Sequence, residues 1–103
     1  MTLTGHNRVT EPLLRLYIAG NFAISRRAEQ NLHRLRELIK PQGLEAEVVD
    51  VLAQPERAEE ARILATPTLS YEHPVRPRRI VGDLSDAKRV LDFLGIELKK
   101  DSA

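Results

Sequence analysis

Few residues in this 103-residue chain are equipped for chemistry. It contains three histidines, His6, His33 and His73, and no cysteine. The lack of thiols removes disulfides, thiolate nucleophiles and most zinc-ligand sets at once. The histidines fall on an N-terminal arm, a helix surface and a loop, with no spacing that would make a metal site, so no metal is expected. Asp50 and Asp83 sit at the ends of predicted strands, a place where Asp forms turns or caps more readily than an acid–base pair. Ser25 stands just after Gly20-Asn21, at the start of a predicted helix, and a helix N-terminus favours negative charge or a bound anion. A hydroxyl there could serve a thiolate such as glutathione. Ser is, however, a favoured N-cap, and no second polar partner stands nearby, so capping is the preferred role. No catalytic constellation and no cofactor site emerges from these residues.

Whatever positions these residues must come from one core. A chain of this length forms a single domain. Its 42% hydrophobic and 30% charged content is ordinary for a globular protein. Sixteen Lys plus Arg against 15 Asp plus Glu leave a net charge of +1, which gives no electrostatic reason to expect nucleic acid. No apolar run approaches the roughly 18 residues that a membrane span needs, and residues 1–12 lack the apolar segment of a signal peptide. They are read as a flexible arm of a cytoplasmic protein, residues 13–98 as the domain and residues 99–103 as a flexible tail.

Periodicity supplies the elements. Leu13-Leu14-Arg15-Leu16-Tyr17-Ile18-Ala19 is a short apolar run that suits a buried central strand. From Ser25, the spacing of Ala28, Leu32, Leu35 and Ile39 predicts a helix of about four turns, stopped by Pro41-Gln42-Gly43. Glu45 to Val51 alternates and then turns β-branched, as a strand at or near a sheet edge would. After Pro55, Glu56 to Leu64 predicts a short helix with Ala58, Ala61 and Leu64 on one side. Thr68 to Glu72 and Arg79 to Val81 read as brief strands, joined by a loop in which Pro74 and Pro77 exclude helix. Ser85 is expected to cap a last helix with Ala87, Val90, Leu91 and Leu94 inward, ended by Gly95. The order is βαβαββα in a single α/β domain.

Thr66-Pro67-Thr68 at the head of a strand resembles the way thioredoxin-like domains present a cis-proline beside their active site, and βαβαββα is the thioredoxin-like order. An X–Pro bond retains only about 0.5–1 kcal/mol of trans preference, so a cis Thr66–Pro67 bond is accessible, with an ordinary trans proline as the alternative. The redox cysteines of that fold are absent. Four collinear blocks narrow the resemblance further. Leu16-Tyr17-Ile18-Ala19-Gly20-Asn21, Val49-Asp50-Val51-Leu52 with Pro55, Ile63-Leu64-Ala65-Thr66-Pro67-Thr68-Leu69, and Arg78-Arg79-Ile80-Val81-Gly82-Asp83-Leu84-Ser85 are together similar to the bacterial clock protein family KaiB, from about Leu13 to Leu94.

That resemblance implies a regulator without enzymatic activity, which binds the first ATPase ring of the hexameric ATPase KaiC and modulates its phosphorylation and ATPase cycle. In cyanobacteria the family also sequesters KaiA. It further implies two folds of one sequence: the thioredoxin-like state, which binds KaiC, and a tetrameric ground state of order βαββααβ. Pro67, Gly82, Asp83, Phe93 and Gly95 are candidate fold-switch residues on this basis. Phe93 aligns where clock members carry a small residue, which suggests a lean toward the thioredoxin-like state unless the ring merely fills a core gap. The segment after Leu98 begins Lys99-Lys100 where clock members often carry an acidic extension, and Glu47 stands where some relatives are basic. Both departures favour a partner set of KaiC without KaiA, in a timer or stress-response system, at least as much as a circadian one.

For the partner surface, a sheet order of 2-1-3-4 is expected to leave the strand Glu45 to Val51 with an unpaired edge, which a partner strand could use. The first helix turns Arg26, Arg27, Gln30, His33, Arg34 and Glu37 away from its apolar stripe. Arg26, Arg27, Arg34, Glu47 and Val49 are the candidate partner contacts, Arg27 foremost because it aligns with a basic KaiC-contacting position. A detached sensor domain of the SasA histidine-kinase type and a generic thioredoxin-like adaptor are the alternatives. A KaiB-binding histidine kinase is thus a further candidate partner, and self-association to a dimer or tetramer is left open.

Overall fold

The computed structural model describes residues 13–95. The apolar run becomes β1 (Leu13–Ile18), followed by α1 (Ala23–Ile39), a 3₁₀ turn (Lys40–Gln42), β2 (Glu45–Asp50), α2 (Pro55–Ala61), β3 (Thr68–Glu72), β4 (Arg78–Val81) and α3 (Ala87–Leu94). The sheet order is β2-β1-β3-β4. β2 runs parallel to β1 with Leu16 opposite Val48, and β3 runs antiparallel to β1 with Leu16 opposite Leu69. β4 closes the other edge, antiparallel to β3. This is the thioredoxin-like arrangement the element order predicts, and the Thr66–Pro67 bond is cis.

Alternation along the strands sorts the side chains onto two faces. Leu14, Leu16 and Ile18 of β1 and Leu69 and Tyr71 of β3 meet the stripe of α1 (Ala28, Leu32, Leu35, Ile39) and the inner face of α3 (Val90, Leu91, Leu94) in one buried cluster. Each such leucine contributes roughly 1.5–3 kcal/mol by leaving water, so this face holds the domain together. The opposite face carries Arg15, Tyr17, Glu47, Val49, Thr68 and Ser70, residues of the other parity in the same pairings. Here lies α2, seven residues long with none of them buried.

The helix ends depart from expectation in instructive ways. α1 begins at Ala23, with Phe22 in the N-cap position and no side-chain cap, and Ser25 is buried inside the first turn. Its hydroxyl accepts from the Ala19 amide at 3.0 Å. Ser25 therefore braces the turn out of β1 instead of capping the helix. Ser85 yields its predicted role to the next residue: the Asp86 carboxylate accepts from Arg89 N at 3.1 Å as a proper N-cap. Both shifts arise because a cap is chosen by where the chain bends, and an adjacent Asp competes well with Ser. α2 stops at Ala61, with Arg62 in the left-handed region (φ 56°), and Leu64 beyond it is 97% exposed, not on an inner side. Gly95 ends α3 at φ 76°, as its glycine predicts. Strand ends differ from expectation by one residue, β1 and β2 stopping at Ile18 and Asp50 and β4 starting at Arg78.

Candidate functional site

The exposed side of α1 is the surface that the family resemblance singled out. Arg26, Arg27, Gln30, His33, Arg34 and Glu37 are all exposed there, because the apolar stripe at spacings of four, three and four turns the opposite side into the core. Near the helix start, Asn21, Ala23, Arg26, Arg27 and Gln30 line a shallow, open hollow of about 390 Å³. Arg34 lies one turn beyond, its guanidinium 3.4 Å from Asn31 Oδ1. The hollow therefore offers two unburied guanidinium groups with flanking amides, a set suited to a carboxylate-bearing protein surface.

Three candidate switch residues are joined to this surface. Gly82 N donates to Pro67 O at 3.0 Å, tying the strand entry to the corner after β4. The next residue, Asp83, accepts Ser85 N on Oδ1 at 3.0 Å and lies 3.9 Å from Arg27 Nη1 through Oδ2. The Asp83 carbonyl accepts from Asn31 Nδ2 at 2.6 Å. Asn31 is buried on α1 and was not among the sequence candidates. The available signal was a lone polar residue three positions after Ala28 and four before Leu35, within the apolar stripe. Asp50 has an equivalent turn-forming role at the other βα corner, accepting Gly20 N and Leu52 N at 3.0 Å each. Gly20 is favoured there by its backbone, whose φ is 55°.

Phe93 and Gly95 sit apart, at the far end of α3, where Arg78 Nη1 donates to Phe93 O at 3.4 Å. The Phe93 ring is 47% exposed and fills no core gap. Of the β2 candidates, Val49 is buried on the second face of the sheet. Glu47 is bound on both sides, 3.0 Å from Arg15 Nε and 3.1 Å from Arg57 Nη2, while Arg15 also reaches Glu72 at 3.4 Å. Partial burial alone would raise the Glu47 carboxyl, but hydrogen bonds and charges from Arg15 and Arg57 outweigh it and hold the group below its ordinary value of 4.5. Burial likewise lowers the Arg15 guanidinium, and the hydrogen bonds to Tyr17 and Glu47 with the charges of Glu72 and Glu47 more than restore it, so the net direction is up.

The Glu47 linkage has a definite sign. A depressed folded-state pKa gives stability that is fully present above the unfolded value and is lost as pH falls through the folded one. Because Glu47 is more than a third exposed, the effect is expected to be modest, at most about 1 kcal/mol. Denaturant midpoints measured from pH 6 down to pH 3 should therefore fall less in Glu47→Gln than in the parent chain; identical slopes would remove Glu47 from the acid-sensitive groups.

The β2 edge is only partly open. Val51 N donates to Ile18 O at 2.8 Å, so residues of that parity turn their amides toward β1, and Ala46, Val48 and Asp50 face outward. Arg36 Nη2 already occupies the Ala46 carbonyl at 3.1 Å. His33 lies exposed on α1, and His73 accepts Val75 N and Arg76 N within its own loop. Among the described residues no group of three or more His, Asp or Glu is placed to hold a metal ion, and no helix is long and apolar enough to cross a membrane. His6, the arm and the tail lie outside the described residues.

Among solved structures, mitochondrial thioredoxin 3 of Saccharomyces cerevisiae superposes with a TM-score of 0.70 at 16% identity, covering 86% of this chain and 82% of that one. Chloroplastic thioredoxin z matches at a TM-score of 0.68 and 18% identity, over 82% of this chain and 75% of its own. At such identities these likenesses show the fold alone. Sequence relatives are far more similar. The "Circadian clock oscillator protein KaiB" of Synechococcus sp. (strain RCC307) is 48% identical over 93 residues, 87% of this chain and 84% of the relative. The "Circadian clock protein KaiB3" of Synechocystis sp. (strain ATCC 27184 / PCC 6803 / Kazusa) is 42% identical over 84% of this chain and 82% of its own. The KaiB domain model matches residues 15–96. From the first central strand to the last helix, the chain belongs to the KaiB family of circadian clock proteins.

Proposed function

We propose that this chain is a regulator of a KaiC-like hexameric ATPase, which it binds at the first ATPase ring through the exposed side of α1, modulating the phosphorylation and ATPase cycle. The observation that carries the reading is the placement of Arg26 and Arg27 at an open hollow at the start of α1, with Arg27 3.9 Å from Asp83. Surface and fold are coupled there. The corner that orients Asp83 exists only while β4, α3 and the Pro67 loop are packed as in the thioredoxin-like arrangement, so a partner reading Arg27 beside Asp83 would select this fold over another. Pro67, Gly82 and Asp83 have their proposed switch role in that corner. Phe93 and Gly95 have theirs at the end of α3, where an exposed ring costs the present packing little.

A partner set without KaiA is supported by Glu47, which stands where some relatives are basic and is held by Arg15 and Arg57. At the β2 edge, Arg36 already occupies the outward Ala46 carbonyl. On this reading the system is a timer or stress regulator built on the ATPase and this protein. Adding the chain in excess to the KaiC-like ATPase of the same cell is expected to change its ATP hydrolysis rate and its phosphorylation time course. Unchanged curves at saturating protein would contradict the proposal.

A further inference from the structure

The second face of the sheet holds buried groups that the α1 surface does not use. Tyr17, Val49, Thr68 and Ser70 are each at most 5% exposed, and α2 lies over this face. Its beginning is tied above β2, where Arg57 Nη2 stands 3.1 Å from Glu47 Oε2. Its end is tied above β4, where Arg79 Nη1 donates to Arg62 O at 3.2 Å and Nη2 donates to Ala61 O. Glu47 and Arg79 pair in register with Arg15 and Ser70 respectively, so both side chains rise from the same face, at opposite edges of the sheet. The helix is thereby laid across β1 and β3 and anchored at both ends by guanidinium groups.

Little else holds it. None of its seven residues is buried, Ala58 and Ala61 are its only partly buried apolar side chains, and a helix this short has no stability of its own. The first face of the sheet, by contrast, is closed by a continuous apolar cluster. Resistance to local opening follows the apolar burial and bonding of each segment, and the two faces differ sharply in both.

We propose that α2 is a releasable strap, held by Arg57 and Arg79, which opens while β1, α1 and α3 stay folded and so uncovers the strip of Tyr17, Val49, Thr68 and Ser70. An aromatic ring, a branched aliphatic and two hydroxyls side by side then form a surface that the closed domain hides.

Two readouts test this on the whole chain. Amide hydrogen exchange is expected to be faster across residues 55–64 than in β1, and to accelerate there about threefold in Arg57→Gln and about tenfold in Arg79→Gln, with β1 and α1 unchanged. The natural absence of cysteine allows a second probe. In a Ser70→Cys background, labelling of the introduced thiol by an aromatic disulfide should rise by the same factors, and should also rise between 0.05 and 0.5 M NaCl without either Arg substitution. Exchange of 55–64 at the β1 rate, equal acceleration of β1 and 55–64 in the variants, or thiol labelling insensitive to salt would each overturn the strap.

Discussion

Leu91→Ala is expected to lower the unfolding free energy by about 2–5 kcal/mol, whereas Phe93→Ala, two residues away, should change it by less than about 1 kcal/mol. Leu91 is 1% exposed and sits in the cluster that joins α3 to the sheet and α1, while Phe93 is 47% exposed on the other side of the same helix. The leucine loses both its transfer energy and its packing, because a cavity between helix and sheet cannot fully collapse. The ring loses only part of a surface contact. In the alternative fold that the family resemblance implies, part of this segment would be a strand, so Leu91→Ala is also expected to weaken the helical state of α3. Urea denaturation followed by circular dichroism gives both values. Equal losses for the two variants would mean that α3 is not docked by its apolar face.

Arg27→Glu is expected to weaken binding to the KaiC-like ATPase by about ten- to a hundredfold while shifting stability by no more than about 1 kcal/mol. The binding estimate follows from the proposed interface role of Arg27: an anion in place of the cation would lose one contact and add repulsion, roughly 1.4–2.8 kcal/mol together. The small stability change follows from exposure: Arg27 is 56% exposed, and its pairing with Asp83 at 3.9 Å is a surface contact. A glutamate there would face Asp83, which disfavours the reversed charge slightly but leaves the Asn31 bond to the Asp83 carbonyl in place. Normal folding with lost binding would place Arg27 in the interface; retained affinity would take it out.

The fold was legible where periodicity and punctuation are local. The run from Leu13 to Ile18, the stripe Ala28-Leu32-Leu35-Ile39, the proline before Thr68 and the glycine after Leu94 each announce their element within a few residues. The wetter alternation within Glu45 to Val51 announced a strand at or near a sheet edge, and β2 lies at one. The helix starts were less legible, because Ser25 is an eligible cap whose hydroxyl is drawn to Ala19 N by the preceding turn, a contact that depends on how β1 ends. Least legible were bonds between distant segments. Nothing near Arg79 in the sequence says that it closes the end of α2, nor anything near Arg57 that it reaches Glu47. The candidate surface was half visible: the arginines of α1 follow from the stripe, but Asn31, Asp83 and Gly82 meet only once β4 and α3 have folded against that helix.

Binding to the KaiC-like ATPase of the same cell is decided by co-elution of the two purified proteins on size exclusion, in ATP and separately in ADP. A shared peak in at least one nucleotide state, lost or sharply reduced with Arg27→Glu, is the predicted result. Separate peaks in both nucleotide states would contradict it and leave a thioredoxin-like adaptor for some other protein as the better description.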